Sequence, residues 1–240
     1  MRTAFTSLFF LTGVAWFTTT AHAQRSFLTS DANWYWRMDA GASIPQDGHI
    51  VDFSGYTAGP TVNYGSGQKL RYDEGFAFNA GFGYFYNKYI ATELEFGSTW
   101  NGLNSVEGGS VHDSSFGTAP ILANVILQYQ IPRTIVVPYI GGGVGGAVTF
   151  FDANDYYQPI PGGAISLHGT ETDFVFAWQA QAGVRFSLND KMSLGVAYRY
   201  LHTDPSEFSF ESHHHNGPNV DIRFSTFESH VVTVSFVMKL

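Results

Sequence analysis

The last ten residues alternate without interruption: Val232, Val234, Phe236, Met238 and Leu240 fall on one face, and Val231, Thr233, Ser235, Val237 and Lys239 on the other. That period of two is a β-strand running to Leu240. A terminal strand leaves an open hydrogen-bonding edge unless it pairs with an early strand, so a closed barrel is favoured over a sandwich. The apolar face of such a strand also needs a solvent.

The other terminus supplies it. Arg2 opens a basic start, Leu8 to Phe17 are largely apolar, and Ala21-His22-Ala23 has the small-x-small pattern of a signal-peptidase site. Residues 1–23 are therefore expected to be a cleaved signal peptide and residues 24–240 a single barrel domain. With Arg2 removed, eleven Lys and Arg remain against twenty Asp and Glu. This acidic balance argues against recruitment of nucleic acid by bulk charge. Cysteine is absent, which excludes disulfides, thiolate metal sites and a cysteine nucleophile. Ile135 to Phe150 is the most apolar internal stretch, but it holds Pro138 and five glycines between 141 and 146, so it reads as a strand rather than a spanning helix.

Eight segments carry the two-residue period, near 34–44, 72–86, 89–100, 118–130, 137–150, 173–188, 192–202 and 230–240. The connections alternate. Those at 45–71, 101–117, 151–172 and 203–229 are long, whereas 87–88, 131–136 and 189–191 are short. An even strand count with long loops on one rim and tight turns on the other is the layout of an all-β, eight-stranded antiparallel up-and-down transmembrane barrel.

Three features resemble the small eight-stranded outer-membrane barrel superfamily of the OmpA transmembrane domain, OmpX and the opacity-like surface proteins. They are Pro138-Tyr139-Ile140-Gly141-Gly142-Gly143-Val144-Gly145, the hairpin Phe176 to Tyr200, and the alternating carboxyl-terminal strand. The resemblance covers the mature chain and implies the bacterial outer membrane, a lipid surround and insertion by the barrel-assembly machinery. It makes Phe236, Met238 and Leu240 the assembly signal, although family members commonly end in an aromatic residue and this chain ends in Leu240.

Size decides which face meets lipid. An eight-stranded barrel has an interior just wide enough for its own side chains, so the bulky parity is expected outward. Trp34, Trp36, Trp100, Phe176, Trp178, Tyr198, Tyr200 and Phe236 then face lipid or form interface girdles. The opposite parity carries Arg37, Asp39, Glu93, Glu95, Arg185, Arg199 and Lys239 inward. Isolated charges are costly in a narrow lumen, so these seven are expected to form a salt-bridged plug that fixes register, with an ion or proton path as the alternative. If the tight turns pair Tyr86 with Ile90 and Leu188 with Met192, then Glu93 faces Gly83, Glu95 faces Gly81 and Arg185 faces Gly195.

All mature histidines fall in the long loops or beside them, and His213, His214 and His215 are the candidate surface metal site, against the plainer reading of a solvated loop. Ser212-His213 and Ser229-His230 are adjacent pairs, but neighbours on a strand point to opposite faces, so no catalytic residue is expected. Glycines 141–146 lack the Lys-Ser/Thr of a phosphate loop. Phe53, Tyr56, Tyr64, Tyr156, Tyr157, Phe208, Phe210 and Phe224 look exposed among small polar residues, which suggests a recognition surface. The expected function is a structural or surface-interaction role without a cofactor. A narrow channel for ions or small solutes is the first alternative and a lipid-modifying enzyme the second.

Overall fold

The computed structural model describes residues 33–54, 67–160, 163–210 and 220–240. Among them are thirteen strands: β1 (Trp34–Pro45), β2 (Gly48–Ser54), β3 (Lys69–Tyr72), β4 (Gly75–Phe85), β5 (Ile90–Val106), β6 (Ser110–His112), β7 (Ser115–Gln128), β8 (Val136–Ile160), β9 (Gly163–Ser187), β10 (Met192–Thr203), β11 (Glu207–Phe210), β12 (Val220–Phe224) and β13 (Phe227–Lys239). Eight of these close a ring. Antiparallel pairing runs β1-β4-β5-β7-β8-β9-β10-β13 and returns to β1, where Tyr35 lies opposite Lys239 and Pro45 opposite Ser229. The terminal strand thus finds its partner in the first, and neither keeps an open edge.

Two short turns set the register by the same device. Asn87 Oδ1 accepts from the amides of Tyr89 (2.7 Å) and Ile90 (2.9 Å), and Asn189 Oδ1 accepts from those of Lys191 (2.8 Å) and Met192 (2.9 Å). The Tyr86 amide donates to the Ile90 carbonyl and the Leu188 amide to the Met192 carbonyl. Because a slip of one residue would turn every side chain to the other face, these turns fix which residues enter the lumen.

The long connections correct the sequence reading. They are largely strand rather than loop: β2 and β3 occupy part of 45–71, β6 part of 101–117, β11 and β12 part of 203–229, and β8 and β9 run on to Ile160 and Gly163 through 151–172. The period of two is present there, as in Val220, Ile222 and Phe224 against Asp221 and Arg223, but spans only four or five residues in β11 and β12. Pairing β11-β12-β2-β3-β5 builds a cap above the long-connection rim. Its core holds Ile50, Phe53, Leu70, Phe116, Phe151, Phe208, Phe210 and Phe224, all buried.

On the outer wall the bulky parity faces away from the lumen. Trp34, Trp100, Phe176 and Tyr198 are about half exposed, Val234 is 62% exposed, and Trp36, Trp178, Tyr200, Phe236 and Met238 are partly covered by neighbours on the same face; Leu240 is exposed just past the end of β13. Among the described residues no helix is long and apolar enough to cross a membrane.

Candidate functional site

The register places Glu93 opposite Gly83 and Glu95 opposite Gly81 on β4 and β5, and Arg185 opposite Gly195 on β9 and β10. Glycine matters here because of space. A Cβ on Gly81 would come 2.7 Å from the carboxyl carbon of Glu93, which leans diagonally across it, while the Tyr35 ring covers Gly83 and the Tyr139 ring covers Gly183. The long side chains of one strand thus lie where the next strand has none.

Five of the seven inward charges meet. Glu95 is the hub: Oε2 accepts from Arg37 Nη2 (2.6 Å), Asn124 Nδ2 (3.1 Å) and Gln179 Nε2 (3.0 Å), and Oε1 accepts from Arg199 Nη1 (2.9 Å). Arg37 also pairs with Glu93 Oε1 at 2.9 Å and Asp39 Oδ2 at 3.1 Å, and Arg199 also pairs with Asp39. Gln181 Oε1 accepts from Arg37 Nη1 at 3.4 Å, and Gln179 donates to Asn124 Oδ1 at 2.8 Å. All five charged groups are at most 3% exposed. In such a site hydrogen bonds to ionised groups are strong, and removing one partner strands the other.

The other two cations lie apart from this cluster. The Arg185 guanidinium sits over the Tyr139 ring at 4.4 Å, and the Lys239 ammonium over the Phe85 ring at 5.1 Å. Cation–π contact offsets part of their desolvation. Tyr35 stacks on Phe85 with ring centroids 4.3 Å apart, so the short-turn end of the lumen holds packed aromatic side chains. Above the ion pairs comes a hydroxyl layer, with Ser43 Oγ 2.8 Å from Ser229 Oγ and Thr99 Oγ1 2.9 Å from Thr118 Oγ1. Over that lies the cap core, where Phe116 and Phe227 stand 4.9 Å apart and Phe151 and Phe224 5.0 Å apart.

Sequence reasoning missed the amides Asn124, Gln179 and Gln181 as members of the cluster. Their parity was the available signal, since each lies on the lumen face of its strand. It also misplaced the cap aromatics. Phe53, Phe208, Phe210 and Phe224 are buried rather than exposed, because each lies on the inward parity of a short strand; Tyr157 is exposed at 47%. Tyr56, Tyr64 and the Tyr156 side chain lie outside the described residues, as do Ser212, His213, His214, His215 and the expected signal peptide.

Ser229 and His230 separate as strand geometry requires. Ser229 turns into the lumen toward Ser43, while His230 points outward, its Nδ1 2.6 Å from the Tyr198 hydroxyl. Among the described residues no three His, Asp or Glu side chains are grouped to hold a metal ion.

The comparisons with known proteins agree with this architecture. The family model described as "Outer membrane protein beta-barrel domain" matches residues 9–238. An uncharacterized protein of Brucella abortus (strain 2308) is 26% identical over 196 residues, covering 71% of this chain and 68% of that protein. Among solved structures, OprG of Pseudomonas aeruginosa aligns with a TM-score of 0.59 at 12% identity, covering 90% of this chain and 100% of OprG. Neisserial surface protein A aligns with a TM-score of 0.52 at 15% identity, covering 86% of this chain and 97% of its own. At such identities the structural likeness shows the fold alone. The family match covers nearly the whole chain, and the chain belongs to the outer membrane protein β-barrel domain family of the bacterial outer membrane.

Proposed function

We propose that this protein is a non-conducting outer-membrane barrel whose purpose is to hold a folded cap at the cell surface for interaction with an extracellular partner. One observation carries the reading: the lumen is occupied in successive layers, by Tyr35, Phe85 and Tyr139, then by the Arg37–Glu95–Arg199 cluster, then by the aromatic cap core. A pore needs a continuous wet path, and a core of seven phenylalanines provides none. The cap's outer face supports the interaction half of the reading. Exposed Glu207 lies opposite exposed Arg223, which lies opposite Asp52, a mixed-charge ladder suited to steering and registering a partner of complementary charge.

Planar-bilayer recording tests the first half. The purified barrel is expected to give no steady conductance; reproducible channel events whose ion selectivity shifts on Glu93→Gln would replace this reading with that of a narrow channel. For the second half, the stretch from Pro205 to Thr226 is exchanged for a short turn. Surface adhesion of cells expressing the protein is expected to fall while heat-modifiable mobility persists, and unchanged adhesion would remove the recognition role.

A further inference from the structure

On the outer wall, at the cap end of the membrane band, four adjacent strands bring together side chains that an aromatic girdle alone does not account for. Trp178 on β9 lies opposite His202 on β10, which lies opposite Glu228 on β13; Tyr200 lies opposite His230, and Gln46 follows the end of β1 beside them. Trp178 stacks on His202 with centroids 5.3 Å apart and planes at 26°. His202 Nδ1 is 3.3 Å from Glu228 Oε1. The Tyr198 hydroxyl holds His230 Nδ1, and His230 Nε2 lies 3.2 Å from the Gln46 amide. None of this cluster points into the lumen.

Its height follows from the strand. From His230 to Met238 is eight steps, on the order of 26 Å along β13 and about 20 Å of height at barrel tilt, which is close to the apolar band of such barrels. Directly below the cluster, Val196, Val232 and Val234 are exposed at 51%, 45% and 62%. A molecule resting here would lay acyl chains on the valines and its headgroup on the histidines.

The chemistry selects the headgroup. A carboxylate on the lipid-facing wall is disfavoured unless donors reach it; His202 and the Tyr200 hydroxyl both reach Glu228, and a carboxylate has room to accept more. An incoming phosphate is repelled by that carboxylate. An ammonium would suit Glu228, but in a phospholipid headgroup it comes with a phosphate that meets the same repulsion. Sugar hydroxyls both donate and accept, and their apolar faces pack on aromatic rings. We infer that the Trp178–His202–Glu228–His230–Gln46 patch is a binding site for the saccharide headgroup of an outer-leaflet glycolipid.

The test uses the folded full-length barrel in nanodiscs doped with monoglucosyl dioleoylglycerol, dioleoyl phosphatidylglycerol or dioleoyl phosphatidylethanolamine, with lipid retention read by native mass spectrometry. The glucolipid is expected to be retained over both phospholipids. Glu228→Gln and His202→Phe, made separately, should each reduce its retention roughly tenfold, as expected for the loss of one hydrogen bond involving a charged or well-oriented group; His202→Phe keeps a ring to stack on Trp178 and removes only the nitrogens. Both variants should keep heat-modifiable mobility. If either fails to fold, the parent's preference among the three lipids decides alone. Equal retention of all three lipids would reduce the patch to an ordinary girdle and overturn the inference. Preference for phosphatidylglycerol or phosphatidylethanolamine would equally overturn it, in favour of phosphate or ammonium recognition.

Discussion

The mid-lumen and the cap are both filled by side chains, yet with opposite chemistry on the same strands. β9 sends Gln179, Gln181 and Arg185 inward within the membrane and Leu167 inward above it; β7 sends Asn124 inward below and Phe116 above. The environment outside the wall explains the switch. Where the wall meets lipid, its bulky apolar side chains are outside and the interior takes the polar parity. Where it meets water, the interior can be apolar as in any soluble sheet. The two regions should also fail differently, since an ion-paired cluster loses stability through stranded charge and an aromatic core through lost area and cavity.

The largest effects test that difference directly. Glu95→Ala removes the hub that accepts from Arg37, Arg199, Asn124 and Gln179, leaving the two arginines to share Asp39 and the two amides without that acceptor, and should cost the whole barrel about 3–5 kcal/mol, read as a lower urea midpoint for heat-modifiable mobility. Phe151→Ala should cost a similar 3–5 kcal/mol, but mostly in the cap, with proteolysis there accelerated while the barrel midpoint moves little. If both substitutions shift the same global transition equally, the cap and the lumen are one cooperative unit and the contrast fails.

A smaller pair tests the wall between them. Lipid-facing Val196→Arg should cost about 2–4 kcal/mol if it lies near the bilayer midplane, whereas inward Ala197→Ser, beside Thr233, should change the midpoint by less than about 0.5 kcal/mol. Equal tolerance of both in the same urea titration would mean the faces are exchanged. Glu93→Gln is milder again, because Arg37 keeps Glu95 and Asp39. A loss of about 1–2 kcal/mol is expected, and no loss at all would mean that the Glu93–Arg37 pair contributes nothing to the fold.

How much of this was readable from residues alone depended on run length. The eight wall strands announced themselves because ten or more alternating residues outweigh local composition; the narrow interior of an eight-stranded barrel settled which parity turned inward, and the turns at Asn87 and Asn189 set which residues lie opposite one another. β11 and β12 were hidden because four or five alternating residues among Gly, Asn, Asp and His carry too little periodic signal against a loop. Their aromatics were then misassigned to the surface: Phe208 and Phe224 have no sequence feature that distinguishes a buried ring from an exposed one until the partner strand is known. In the lumen, charge was visible and neutral amides were not. Asn124 and Gln179 differ from solvent-facing amides only by parity, and they were passed over although they complete the coordination of Glu95.

The smallest effect at neutral pH concerns Tyr72, whose ring packs against Phe116 and Phe227 with centroids 5.6 Å away at the margin of the cap core. Burial holds its phenol well above the ordinary tyrosine range, and nearby Asp47 adds to the shift. Only the neutral phenol is favoured in the folded cap. The raised folded-state value means that its contribution is fully present below about pH 10, where an unfolded tyrosine is also neutral, and is lost as pH rises beyond that. Cap stability should therefore fall by up to about 1.4 kcal/mol per pH unit above pH 10, measured by amide exchange or proteolysis of β3 and its neighbours. Tyr72→Phe should be within about 0.5 kcal/mol of the parent at pH 7 and should flatten this alkaline slope. The ion-paired lumen cluster serves as the control: the global urea midpoint should be the same for the parent and Tyr72→Phe at each pH, and a difference there would show that the cap and the cluster do not open independently.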